Sequence, residues 1–108
     1  MARDVKRGDV WLHTFKKPDK RRPVLVVSRN EVIGLLRTVT VAPITSTIHG
    51  APSEVILGTE HGLKNTSAAN MDHLLTVSQS QLHTYVGHLD ETKLREVCHA
   101  IAVALGCR

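Results

Sequence analysis

The chain has 108 residues, enough for one compact domain with its own core, and residues 1–108 are read as a single unit. Hydrophobic residues make up 42% and charged residues 22%, a globular balance that excludes collagen-like, coiled-coil and disordered chains. The formal net charge is +4, and the only three aromatics (Trp11, Phe15 and Tyr85) argue against recognition of bases by a broad stacking platform.

The first residues, MARDVKRGD, are charged where a secretory signal needs an apolar stretch, so a cytoplasmic protein is expected. No apolar run approaches the ~18 residues of a membrane span. Residues 10–15 are an apolar and aromatic run bounded by Gly8-Asp9 and Lys16-Lys17-Pro18, which predicts a strand. Residues 23–28 (PVLVVS) are nearly continuous β-branched and apolar residues, a buried strand with its proline at the start. Residues 38–44 alternate Thr outward and Val inward, a half-buried strand interrupted at Pro43. A fourth strand is expected at 55–57, turn chemistry at 62–66, and weaker strands at 67–72 and 74–77. One helical turn at 78–82 and a short strand at 84–89 complete the β region.

The period then changes. Asp90 is a good N-cap, and Leu94, Val97, Cys98, Ile101, Ala102 and Leu105 fall at helical spacing before Gly106, a helix stop. Burying the Leu, Val and Ile of that stripe contributes roughly 1.5–3 kcal/mol each, so the helix must dock. Six or seven short strands closed by one terminal helix predict a mainly β protein, a small and strongly bent β-barrel with a C-terminal helix.

Charge is unevenly placed. Residues 1–37 hold ten Lys/Arg against four Asp/Glu, whereas residues 38–108 hold four against six. The densest cluster, residues 16–22 (KKPDKRR), carries five positive charges in seven residues, the footprint of a polyanion or simply a solvated loop. Two cysteines, Cys98 and Cys107, show no CxxC spacing and are expected to be reduced thiols. The seven histidines fit no HExxH or HxxxH pattern, and no metal site or cofactor is expected.

Three stretches, residues 7–12 (RGDVWL), 21–28 (RRPVLVVS) and 40–46 (TVAPITS), together with the later Gly62-Leu63, Leu74-Leu75-Thr76-Val77, Gly87-His88-Leu89 and the final amphipathic helix, resemble the MazF/PemK-like toxins over essentially the whole chain. The resemblance implies an SH3-like barrel, a homodimer, and a ribosome-independent endoribonuclease that cuts single-stranded RNA at short sequences. It also implies a cognate antitoxin that blocks the RNA groove. By position, the family's active-site Arg and Thr are Arg22 and Thr45. Arg22 has the donor fork for a phosphate and keeps its charge, which favours charge stabilisation over base catalysis. A Thr at a strand end bonds as readily to nearby backbone as to a phosphate. The acidic residue that some members use on a later strand matches Asp72. Those members carry an Arg where this chain has Asn70, and a His in the first loop where this chain has only Lys and Arg. His13, near Arg22 on the first strand, is therefore a second acid–base candidate, with an ordinary pKa suited to neutral pH. Lys16, Lys17, Lys20, Arg21 and Ser46 are the candidate RNA-binding residues.

Two other functions share the fold. A CcdB-like gyrase poison depends on a Trp-Gly-Ile-like C-terminus, and this chain ends Leu105-Gly106-Cys107-Arg108. A catalytically silent SH3-like RNA-binding module needs nothing beyond the basic loop. The acids are scattered, without the clustered carboxylates of metal-dependent nucleases, so metal-free attack by the substrate's own 2′-OH is expected.

Overall fold

The computed structural model describes residues 4–14 and 21–107. Seven strands form one strongly bent, barrel-like sheet: β1 (Asp9–Thr14), β2 (Arg21–Val26), β3 (Thr38–Thr45), β4 (Glu54–Leu57), β5 (Ser67–Asn70), β6 (Leu75–Ser78) and β7 (Leu82–His88). Every ladder is antiparallel and the order is β4-β5-β3-β2-β1-β7, with β6 pairing beside β3. No ladder joins β4 to β7 among the described residues, so the sheet bends without closing. Short helix α1 (Asn30–Ile33) leads into β3, and α2 (Glu91–Leu105) ends the fold.

Both faces of the central strands are covered, which explains the unbroken apolar run of β2. Leu25 and Val27 join Val10, Ala42 and Ile44 in one core, while Val24 and Val26 join Trp11, Val39 and Val41 in the other. Trp11 and Tyr85 meet edge to face at 5.8 Å within the second, so neither forms a flat platform for bases. Asp9, 2% exposed, ties β1 to its surroundings: its carboxylate accepts from Lys6 N (2.9 Å) and Trp11 Nε1 (3.1 Å) and lies 2.7 Å from His88 Nδ1.

Three local expectations are corrected. Strand β3 runs through Pro43 to Thr45 instead of breaking. On one edge it pairs with β6 through Thr38–Val41 and with β5 through Ile44 and Thr45, leaving Ala42 and Pro43 unpaired there. A residue without an N–H costs no ladder bond in such a gap. The strand expected at 67–72 stops at Asn70, whose Oδ1 accepts from Asp72 N (2.8 Å) and caps a 3₁₀ turn over Met71–His73. Helix α2 begins as expected, with Asp90 Oδ1 accepting from Lys93 N (2.9 Å), and stops at left-handed Gly106. Its buried face is rotated, however. Val97 and Ala100 are buried and Leu94, Ile101 and Ala104 pack beside them, while Cys98 and Leu105 are exposed and both cysteines are free. The two alanines allow the helix a close approach to the sheet, which outweighs the larger side chains at its rim.

A second close approach positions the functional face. Gly62 has φ +89°, and a Cβ there would overlap Val86 O; a Cβ at Gly87 would overlap His61 O. The segment around Gly62 therefore lies backbone to backbone on β7, which only glycine on both sides permits. His61 is buried at its start, with Nδ1 accepting from Gly58 N at 3.1 Å. Gly87→Ala is expected to lower stability by about 1–3 kcal/mol through this overlap, read as a lowered denaturation midpoint. Gly34→Ala, where nothing lies within 4 Å, should be near neutral.

Candidate functional site

The first strand pair ends where charge gathers. Arg21 and Arg22 open β2, exposed, opposite Thr14 and His13 of β1. Thr45 closes β3 opposite Ala68 of β5, and exposed Ser46 follows it. The segment docked on β7 by Gly62 lies across from them. Together they enclose a cleft of about 620 Å³ with an apolar floor of Leu12, Pro23, Ile44, Leu63 and Val86. Its polar lining is Arg21, Arg22, Thr45, Ser46, Lys64, Asn65 and Ser67.

Four of the residues expected from sequence are thus brought together: Arg22 and Thr45, with Arg21 and Ser46 beside them. Lys16, Lys17 and Lys20 lie outside the described residues. Lys64 and Asn65 were not foreseen as site residues, because Gly-Leu-Lys-Asn-Thr reads locally as turn chemistry. Only the docking of the 62–67 segment against β7 turns them towards Arg22.

The two acid–base candidates fall elsewhere. His13 is 7% exposed and shares a strand face with Trp11, away from the cleft lining. Its pKa is held below the ordinary 6.5 by burial first and by the neighbouring His83 second, so it is neutral at pH 7. Asp72 is exposed in the 3₁₀ turn after β5, where its Oδ2 accepts from Ser53 Oγ at 2.5 Å. With Met71 N donating to Ser53 O (2.9 Å), this contact ties the turn to the 46–53 segment, a structural role. The same segment is gathered by Glu54, whose Oε1 accepts from His49 N, Gly50 N and Ala51 N at 2.8–3.2 Å. The segment leading away from Ser46 is thereby held by Glu54 together with the contacts of Ser53.

The cleft's chemistry follows from its lining. Three cations and three hydroxyls line the cleft with its apolar residues, with no carboxylate or imidazole among the described lining residues. Such a site suits a phosphodiester, whose charge the guanidinium forks and ammonium can meet. Thr45 Oγ1 accepts from Thr47 N at 3.2 Å, which orients the hydroxyl and leaves its proton to donate. No group of three or more His, Cys, Asp or Glu side chains able to hold a metal ion occurs among the described residues. Two larger depressions, of about 930 and 730 Å³, mix acidic and basic residues: Asp4 lies with Lys6 and Arg37 in the first, and Asp90 and Glu91 lie with Lys6, Arg7 and Arg95 in the second. Among the described residues no helix is long and apolar enough to cross a membrane.

Comparison with known proteins places these features. A family model described as PemK-like, MazF-like toxin of type II toxin–antitoxin systems matches residues 6–105. A probable endoribonuclease MazF5 of Mycobacterium tuberculosis is 40% identical over 104 residues, covering 94% of this chain and 93% of its own length. The solved toxin MazF-mt6 of the same organism superimposes with a TM-score of 0.85 at 30% identity, over 93% of this chain and 98% of that one. A mycobacterial endoribonuclease solved in complex with its cognate antitoxin gives 0.87 at 26% identity, over 96% of this chain and 97% of that one.

Because His13 titrates lower in the folded chain, the unfolded chain binds more protons between that lowered value and 6.5. The stability contributed by neutral His13 is therefore present above about pH 6.5 and lost as pH falls through this window. Denaturation midpoints measured across pH 7 to 5 should fall less steeply for His13→Gln than for the parent chain.

Proposed function

We propose, since the chain belongs to the PemK-like, MazF-like toxin family of type II toxin–antitoxin systems, that its cleft binds single-stranded RNA and cuts it with the RNA's own 2′-OH. As a member of that family the chain is an endoribonuclease toxin with an antitoxin partner. The gyrase-poison alternative is not favoured, because the relatives reported above are endoribonucleases. The observation that carries the reading of the site is the convergence of Arg22 and Thr45 on one cation-lined cleft.

In this reading the phosphate of the scissile linkage sits between Arg22 and Thr45. The 2′-oxygen attacks phosphorus as it gives its proton to solvent water. The bond to the 5′-oxygen breaks and that oxygen takes up a proton from water, leaving a 2′,3′-cyclic phosphate and a 5′-hydroxyl. Charge builds on the non-bridging oxygens on the way. Arg22 stabilises it through two parallel N–H donors, and the Thr45 hydroxyl donates a third hydrogen bond. The cations also favour the 2′-oxyanion, so the cleft works chiefly by electrostatic stabilisation with no imidazole base of its own. Lys16, Lys17 and Lys20, which precede Arg21 in sequence, add positive charge for binding the RNA backbone. Ser46 adds a hydroxyl at the edge. The toxin acts as a homodimer in the cytoplasm, and the antitoxin blocks the same groove.

Arg22→Ala should lower kcat about 10²–10³-fold, and Thr45→Ala about tenfold to a hundredfold because a neutral hydrogen bond is roughly half as strong as a charged one. Neither change should alter the fold, since both side chains lie at strand ends. Asp72→Asn and His13→Gln should retain most activity if the cleft alone does the chemistry. Cleavage of a long single-stranded RNA should persist in excess EDTA and leave 2′,3′-cyclic phosphate and 5′-hydroxyl ends. Parent-level turnover by Arg22→Ala, or loss of cleavage on chelation, would show the assignment to be wrong.

A further inference from the structure

We propose that the docked 62–67 segment is a second recognition element of the cleft. In it Lys64 holds the phosphate adjoining the one at Arg22, and Asn65 reads the edge of the base between them. The inference rests on the reading of the cleft as the RNA site.

Three observations carry it. Lys64 and Asn65 line the same cleft as Arg22 and Thr45 and come to it on a separate segment of the chain. Both are exposed and neither supports the core, so their place in the cleft needs no packing explanation. The segment is also held in place: the glycine-to-glycine contact on β7, buried His61 and buried Leu63 fix its backbone on one side, and Ser67 enters β5 on the other. Side chains on such a pinned segment are presented at a set distance from Arg22, which is what registering successive phosphates requires.

The chemistry divides between the two residues. An ammonium is a point charge that binds a phosphate without regard to sequence. A carboxamide offers a donor and an acceptor side by side, the pattern that pairs with a base edge. Single-stranded RNA leaves those edges open. Lys64 therefore contributes affinity and Asn65 contributes preference.

The test uses short single-stranded 2′-O-methyl oligonucleotides of differing sequence, which bind but carry no free 2′-OH, with affinity followed against salt. Lys64→Gln should raise Kd about tenfold for all sequences, the loss of one charge-assisted contact. It should also flatten the plot of log K against log salt by about 0.7, the single-strand value per phosphate. On cleavable RNA it should raise KM and leave kcat near that of the parent, and Lys64→Arg should restore both affinity and slope. Asn65→Ala should leave the slope unchanged and alter the ranking of sequences. If the parent chain cleaves RNA while Lys64→Gln keeps the parent slope and KM, this inference is wrong and the reading of the cleft stands. An unchanged ranking in Asn65→Ala removes the base-reading role. If the parent chain neither binds these oligonucleotides nor cuts RNA, the reading of the cleft fails and the inference falls with it.

Discussion

Strand β3 must satisfy more neighbours than a single straight ladder allows. It pairs with β2 along one edge and divides the other between β6 at its start and β5 at its end. A strand with two partners on one edge has to bend between them, and the bend falls at Ala42 and Pro43, where no ladder bond is made on that edge. By the ordinary alternation of a strand, Val39 and Val41 serve one core while Ala42 and Ile44 serve the other. Past the bend, β3 ends at Thr45, beside the start of β2. The site lies at that corner, where the end of β3 meets the start of β2.

The corner would be an ordinary strand end without the segment that faces it. Gly62 and Gly87 let two backbones approach where any side chain would overlap a carbonyl oxygen. That contact converts an open edge into a cleft with two walls and an apolar floor. It also gathers positive charge: Arg21 and Arg22 arrive from β2 and Lys64 from the opposite wall, and no acid among the described lining residues offsets them. Like charges placed together disfavour folding slightly and are tolerated where a polyanion will neutralise them. Asp72, an acid–base candidate by the resemblance, accepts instead from Ser53 Oγ, and Glu54 orders the neighbouring backbone at 49–51.

Much of this was legible in the chain. The strand runs, the N-cap at Asp90, the stop at Gly106 and the concentration of Lys and Arg before residue 38 all depend on neighbours within a few positions, and local sequence reports them well. The resemblance to a toxin family added Arg22 and Thr45 as a pair, and the fold brings that pair to one cleft. Errors arose where a residue's meaning depended on a distant partner. Pro43 reads as a break until the split pairing of β3 is known. The stripe containing Cys98 and Leu105 obeys helical spacing, yet the docking distance of Ala100 and Ala104 chooses a neighbouring face.

The sequence by itself therefore determined the class of fold and the ends of the terminal helix, since these follow from periodicity and capping, while its charge left a polyanion site and a solvated loop both open. Only the tertiary structure decided which further polar residues join Arg22 and Thr45 in the cleft and which stay out of it. His13 stands opposite Arg22 in the ladder and is nevertheless buried on the Trp11 face, whereas Lys64, far from Arg22 in sequence, lines the same cleft. The physical reason is that a site is made by approach between elements. Here the approach depends on two missing side chains, Gly62 and Gly87, which a local pattern reads only as a turn and a weak point in a strand.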